Sequence, residues 1–247
     1  LSKTPKKRSP RLPAKRARKP SRSKAPSKEE APQSRKYYPA FIDLAGKPCV
    51  VVGGGKVAER KVLSLLEAGA SVKVVSPELT ARLKREKSSG SIRHTARRFR
   101  ATDLAGAYLL IVSTDSPSDN IKISDKARAK GVPLINAVDM PEHCNFIVPA
   151  SVRRGPLAIA VSTSGASPAM AREIRKELET LYGAGFGRYL ERLERERARA
   201  LDTIADAAER MRFLKSLASD KILKMLREGR SPEIKAPAGR GRRKKRK

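Results

Sequence analysis

Three short stretches carry residue types whose spacing suits chemistry. In "VVVGGGKVAERK" (50–61), Gly53, Gly55 and Ala58 form the pattern G-x-G-x-x-A. An apolar run precedes the glycines and a helix-period stripe follows them. In that setting the backbone comes close to a pyrophosphate, and the helix N-terminus offers it free N–H groups and a positive dipole end. Gly53 suits the tight turn, Gly55 the approach to phosphate and Ala58 a helix lying close to its sheet. Twenty positions after Ala58, "SPE" places Glu78 at the end of a second apolar run, where an acid binds the ribose hydroxyls of a dinucleotide. Glu78 favours NAD over NADP, because a carboxylate repels a 2′-phosphate, although Arg82 and Lys84 lie nearby. For the glycines alone, a structural strand–helix turn is the competing reading.

The third stretch is "PLINAVDM", in which Asp139 follows a strand-like run. Ligands of open α/β sheets bind outside the carboxyl ends of strands, so a carboxylate there is placed to act as a general base. The plainer alternative is a turn aspartate ahead of Pro141. His94 and His143 are the only histidines and Cys49 and Cys144 the only cysteines. None has metal-ligand spacing, so no dedicated metal site is expected. Two cysteines are too few for a disulfide framework, which fits a reducing, cytoplasmic setting.

The elements that must position these residues follow from periodicity. Strands are predicted at 47–52, 71–76, within "SIRHTARRF", at 107–114 and at 132–138, and helices at 56–70, 81–90 and 119–131. This alternation argues for a parallel sheet with crossover helices, a Rossmann-type α/β domain over 37–147. Beyond it, "RRGP" separates two strand-like stretches as a hairpin signal. Ser167 and Pro168 then open a helix whose Met170, Ile174, Leu178 and Leu181 share one face. Residues 148–186 read as a central region with short strands and a helix, suited to dimerisation because its elements lack partners. Residues 187–228 read as wholly helical.

The 247-residue chain carries a formal net charge of +31. Residues 1–28 hold twelve Lys/Arg and no acid, and 239–247 hold seven and no acid. The segments 1–36 and 229–247 have little to bury and are expected to be disordered basic tails, binding polyanions weakly and without reading sequence. The body is also basic, which suits an anionic ligand. No signal-peptide core opens the chain, and no apolar run approaches the roughly 20 residues that span a bilayer, so no membrane association is expected.

"GGGKVAERKVLSLLEAGASVKVVSPE", "INAVDMPEHCNFIVPASVRRGPLAIAVSTSGASPAMAREIR" and the helical tail together resemble the precorrin-2 dehydrogenase/sirohydrochlorin ferrochelatase family, which is also the N-terminal module of multifunctional siroheme synthase. The resemblance runs from about Tyr38 to about Leu201, with four blocks in family order. It implies NAD-dependent oxidation of precorrin-2 to sirohydrochlorin and, in many members, insertion of ferrous iron to give sirohaem, by a homodimer. No methyltransferase-like module follows, so the stand-alone form is expected. Carried over residue by residue, Gly53, Gly54, Gly55, Lys56 and Val57 fall on the phosphate loop, Pro77 and Glu78 at the ribose end, and Thr114 beside the cofactor. Asp139 falls on the catalytic aspartate thought to serve both reactions. Arg153, Arg154, Arg172 and Arg175 are candidates for the carboxylates of the tetrapyrrole, since Arg matches carboxylate bidentately. Two other readings stand beside this one: a dehydrogenase without chelatase activity, and a non-catalytic NAD-sensing or nucleic-acid-binding Rossmann protein.

Overall fold

The computed structural model describes residues 36–234. The tail segments 1–35 and 235–247, and the polyanion binding expected of them, lie outside those residues. Alternating strands and helices give β1 (Pro48–Val52), α1 (Lys56–Glu67), β2 (Ser71–Val75), α2 (Ala81–Ser88), β3 (Ile92–Thr95), β4 (Leu109–Val112), α3 (Pro117–Ala129) and β5 (Leu134–Ala137). The five strands are all parallel, in the order β3-β2-β1-β4-β5. The order reverses direction between β1 and β4, and the crevice outside their carboxyl ends is where such sheets bind ligands.

Both faces of the sheet are covered, so its strands are apolar on both sides. Cys49 and Val51 of β1 pack with Ala58, Val62 and Leu65 of α1 and Leu83 of α2. Val50 and Val52 point the other way, onto Leu104 and onto Ile123 and Ala127 of α3. Helix ends follow the punctuation of the sequence. Gly69 and Gly131, at φ +74° and +71°, turn the chain just beyond α1 and α3. Ser116 caps α3, accepting from the Asp119 N–H at 3.3 Å, with Pro117 at the first helical position. This helix starts two residues before the expected 119.

After β5 come the hairpin β6 (Ala150–Arg154) and β7 (Leu157–Val161), antiparallel as "RRGP" implies, and α4 (Pro168–Leu181), with Ser167 as its N-cap. The stretch expected to be wholly helical is three helices: α5 (Ala184–Thr203), α6 (Ala207–Ser216) and α7 (Asp220–Arg227). Helix α5 begins ahead of the expected boundary at 187. Its Gly187 lies against the hairpin turn, where an added Cβ would stand 2.9 Å from both C and O of Arg154. Gly155 reciprocates, with its Cβ position 3.3 Å from the Gly187 Cα. Order also continues past 229. Pro232 is buried and Ile234 packs against Phe186, Tyr189 and Leu226, because these two apolar residues find a surface among α5 and α7.

The main buried charge in the sheet domain is Asp103, in a 3₁₀ turn (Ala101–Leu104). Both its carboxylate oxygens accept from Arg97 at 2.8 Å, and the Arg100 N–H donates at 2.8 Å. The Arg97 hydrogen bonds hold its pKa below the ordinary aspartate value, against the opposing effect of burial. A lowered folded pKa stabilises the fold above the unfolded value of about 4, and that contribution is lost as pH falls through the folded value. Asp103→Asn should cost about 2–3 kcal/mol at pH 7, less than a fully buried pair because Arg97 is one-third exposed. Urea unfolding at pH 7 and pH 3 should find the gap between wild type and variant narrowed in acid.

Candidate functional site

The glycine turn between β1 and α1 leaves no room for side chains at its first two positions. Gly53 adopts φ +121°, and a Cβ there would lie 2.4 Å from the Ser113 carbonyl oxygen. A Cβ on Gly54 would lie 1.9 Å from the Glu78 carbonyl oxygen. Backbone bonds fix the same junction: Gly53 N–H donates to Val75 O at 3.0 Å, and Thr80 N–H to Gly54 O at 3.1 Å. Gly55 differs, with nothing within 4 Å of its Cβ position. It is the N-cap of α1 and supplies no capping side chain, so the first-turn amides have no intrahelical acceptor and face open space. That open, donor-rich end is suited to a pyrophosphate.

Two clefts flank the turn. The larger, about 830 Å³, is lined by Gly53–Gly55, by Ser76–Thr80 after β2, by Arg98 and Phe99, and by Thr114–Ser116 with Asp119, Lys122 and Lys126. The smaller, about 440 Å³, is lined by Gly55–Val57, Ser113–Asp115, Asn120 and Val138–Met140. They share Gly55, Ser113, Thr114 and Asp115, so a dinucleotide laid over Gly55 would reach from Glu78 on one side to Asp139 on the other. The nine candidate cofactor and catalytic residues thus meet around one turn. Gly53, Gly54, Pro77 and Glu78 line the larger cleft, Lys56, Val57 and Asp139 the smaller, and Gly55 and Thr114 both. Arg153 and Arg154 on β6, and Arg172 and Arg175 on α4, line neither cleft. Arg175 pairs with Glu179 on its own helix.

Several residues that shape the site have no sequence signature. Thr114 does not present its hydroxyl freely: Oγ1 donates to Asn120 Oδ1 at 2.6 Å, and the Asn120 amide donates to Thr114 O at 3.1 Å. Asn120, buried on α3, therefore sets the 113–116 loop that both clefts share. Ser113 Oγ is buried beside the turn and has no hydrogen-bond partner among the described residues. The larger cleft gains cations from Arg98, Lys122 and Lys126.

Asp139 is exposed, with φ +60°, a left-handed conformation that aspartate tolerates better than most side chains. Its loop is drawn back onto β5 by Cys144, whose Sγ accepts from the Ala137 N–H at 3.1 Å and donates to Ala137 O. Val138 and Phe146, on either side of this loop, pack against the cluster that holds Ala58 and Val62 of α1. Half-buried Lys61 lies on the same helix. Burial pushes its ammonium below the ordinary lysine value, Arg60 adds to this, and the negative charge of Asp139 opposes it. Among the described residues, no group of His, Cys, Asp and Glu is arranged to hold a metal ion.

The turn distinguishes two glycine roles experimentally. Gly54→Ala should force the Glu78 loop away, costing about 1–3 kcal/mol of stability. It should also cut dinucleotide affinity about five- to a hundred-fold, at ~1.4 kcal/mol per decade. Gly55→Val should leave the melting temperature near wild type while weakening binding, because its side chain would occupy the place of the phosphate. Calorimetric titration with NAD checks both, and unchanged affinity in Gly55→Val would remove this turn as the site.

Comparison with known proteins agrees with this geometry. Residues 40–150 match a family described as "Putative NAD(P)-binding", and residues 154–181 match one described as "Sirohaem biosynthesis protein central". The siroheme synthase of Methylobacillus flagellatus is 49% identical over 150 residues, which cover 61% of this chain and 32% of that protein. The siroheme synthase of Nitrosococcus oceani is 39% identical over 197 residues, covering 80% of this chain and 42% of that one. The chain thus spans less than half the length of these curated relatives. Among solved structures, SirC, a precorrin-2 dehydrogenase, superposes with a TM-score of 0.67 at 26% identity, over 76% of this chain and 92% of that one. With consecutive family matches over the sheet domain and the hairpin–helix region, and a structural likeness spanning nearly all of a precorrin-2 dehydrogenase, the chain belongs to the precorrin-2 dehydrogenase/sirohydrochlorin ferrochelatase family, that of the N-terminal module of siroheme synthase.

Proposed function

We propose that this chain oxidises precorrin-2 to sirohydrochlorin with NAD as hydride acceptor. One observation carries the reading: Asp139 stands at the carboxyl edge of β5, in the cleft that adjoins the glycine turn. The turn itself fits a dinucleotide, with two glycines that admit no Cβ, an uncapped helix end and the orphaned Ser113 hydroxyl. Gly55, Lys56 and Val57 would hold the phosphates through first-turn amides, and Pro77 and Glu78 would meet the adenosine ribose. When bound, the nicotinamide ring supplies the hydride acceptor.

The oxidation removes a hydride and a proton from the tetrapyrrole, and Asp139 accepts the proton. Its exposure keeps the carboxylate open to a large substrate entering from solvent. Arg153, Arg154, Arg172 and Arg175 remain the proposed contacts for substrate carboxylates, on the hairpin and α4 rather than in either cleft. The same base would serve insertion of ferrous iron, which requires pyrrole N–H protons to leave; iron is then a substrate and needs no resident site. Burial pushes the Cys49 thiol up to about 11, so it stays protonated and inert. Two buried thiols outside any disulfide suit the cytoplasm. No helix among the described residues is long and apolar enough to cross a membrane.

A homodimer is part of this reading. Helix α4 buries only Ala171, and Met170 and Leu181 on its apolar face stand 56% and 37% exposed. A second copy is the simplest cover for that face. Light scattering at micromolar concentration should give twice the chain mass, and Met170→Glu should lower it toward one.

Anaerobic incubation with precorrin-2 and NAD, with and without ferrous iron and followed by absorbance, tests the activity. Asp139→Asn keeps the shape but removes the proton acceptor, so turnover should fall by about 10²–10⁴ while NAD affinity holds. A variant turning over near the wild-type rate would overturn this mechanism.

A further inference from the structure

A backbone carbonyl at the end of a buried strand needs a donor, and the one on Ser76 has lost its regular partner. Ser76 follows β2, and its N–H donates to Thr95 O of β3 at 3.2 Å. In a parallel ladder the Ser76 carbonyl would next accept from the Arg97 N–H. That N–H instead folds back onto Thr95 O at 2.9 Å, where the chain turns and the Arg97 side chain is held by Asp103. A side chain fills the gap: His94 Nε2 lies 2.9 Å from Ser76 O. A carbonyl only accepts, so Nε2 carries the proton and donates. The other ring nitrogen, Nδ1, is buried and has no hydrogen-bond partner among the described residues. Such an atom destabilises the fold, so an aliphatic side chain would pack here more favourably if the Nε2 contact served nothing.

The carbonyl so held begins the loop Ser76–Thr80, which lines the ribose side of the larger cleft. The far end of this loop is tied down by Thr80, whose N–H donates to Gly54 O at 3.1 Å and whose Oγ1 accepts from the Leu83 N–H at 3.3 Å. Pro77 and Glu78 stand exposed between the two anchors. Ser76 itself is buried, and its Oγ lies 2.7 Å from the Cβ position of Gly54, so a shift of Ser76 is felt at the glycine turn as well. We propose that His94 is a positioning residue for the dinucleotide: its Nε2–H holds the Ser76 carbonyl and thereby sets Pro77 and Glu78 where they meet the adenosine ribose. The proposal rests on the glycine turn being the dinucleotide site. His94 lines neither cleft, so it acts through the loop. Without its donor the carbonyl would rotate toward water and carry Pro77 with it.

The test titrates NAD and ADP-ribose calorimetrically into wild-type protein, His94→Leu, His94→Gln and Gly55→Val. KM for NAD and kcat are measured anaerobically with precorrin-2. His94→Leu keeps apolar bulk and removes the donor. Its affinity for NAD and for ADP-ribose should fall together by about five- to tenfold, the worth of one hydrogen bond. KM for NAD should rise by a similar factor while kcat at saturating NAD holds, since the lost contact acts on binding and not on the hydride step. His94→Gln places an amide N–H near the lost Nε2 and should recover most of the affinity. Should His94→Leu fail to fold, His94→Met carries the same comparison. Wild-type affinity in His94→Leu, whatever its melting temperature, or a glutamine variant no tighter than the leucine variant, overturns the proposal while Gly55→Val still binds weakly. Wild-type affinity in Gly55→Val would instead overturn the reading of the turn as the dinucleotide site.

Discussion

The site depends on one steric constraint: the turn after β1 is pressed between the carbonyl ends of two other strand segments. Ser113 O, just past β4, and Glu78 O, past β2, each occupy the place of a Cβ, one on Gly53 and one on Gly54. This contact gathers the loops after β1, β2 and β4 around one point, and both clefts exist because those loops converge there. Gly55 then stands clear, and the helix it begins presents its unbonded amides to whatever lies over the turn. Remove either contact, and the ribose side and the substrate side would no longer share a common floor.

That shared floor has a second support. The 113–116 loop contributes to both clefts, and Asn120 holds it by accepting the Thr114 hydroxyl and returning an amide hydrogen bond to the Thr114 carbonyl. Asn120 lies on α3, the helix that also carries Lys122 and Lys126 into the larger cleft. Cofactor side and substrate side are therefore positioned by one helix, and Thr114 acts as much through the loop it shapes as through any contact of its own.

Much of this is legible in the sequence. Apolar runs bounded by glycine mark the strands, Ser167-Pro168 marks the start of α4, and the spacing from Ala58 to Glu78 ties two strand ends to one ligand. Contacts between residues distant in sequence are not legible. Gly54 matters because of a carbonyl twenty-four positions away, and nothing in its own neighbourhood distinguishes it from Gly55. The breaks within 187–228 do have a local signal: Asp206 with Glu209 three residues on is a capping pattern, and the Asp206 side chain accepts from the Glu209 N–H. Continuous charge around that stretch masks it, since the same residues favour helix on either side of the break.

The meeting of Gly155 and Gly187 bears on how this family's sequences can drift. Most tight contacts in a core involve a side chain, so a bulkier residue on one side is tolerated once its neighbour is trimmed. Here main chain faces main chain: the Cβ position of Gly187 falls on the Arg154 carbonyl group, and that of Gly155 falls near the Gly187 Cα. Beside Gly155 the Glu191 carboxylate can give way, but the main chain around Gly187 cannot be made smaller. A substitution at Gly187 therefore has no local compensating change, and only moving the hairpin away from α5 makes space. Libraries that recombine hairpins and C-terminal helices between relatives will tolerate free exchange elsewhere along this seam, but must inherit these two positions as a pair.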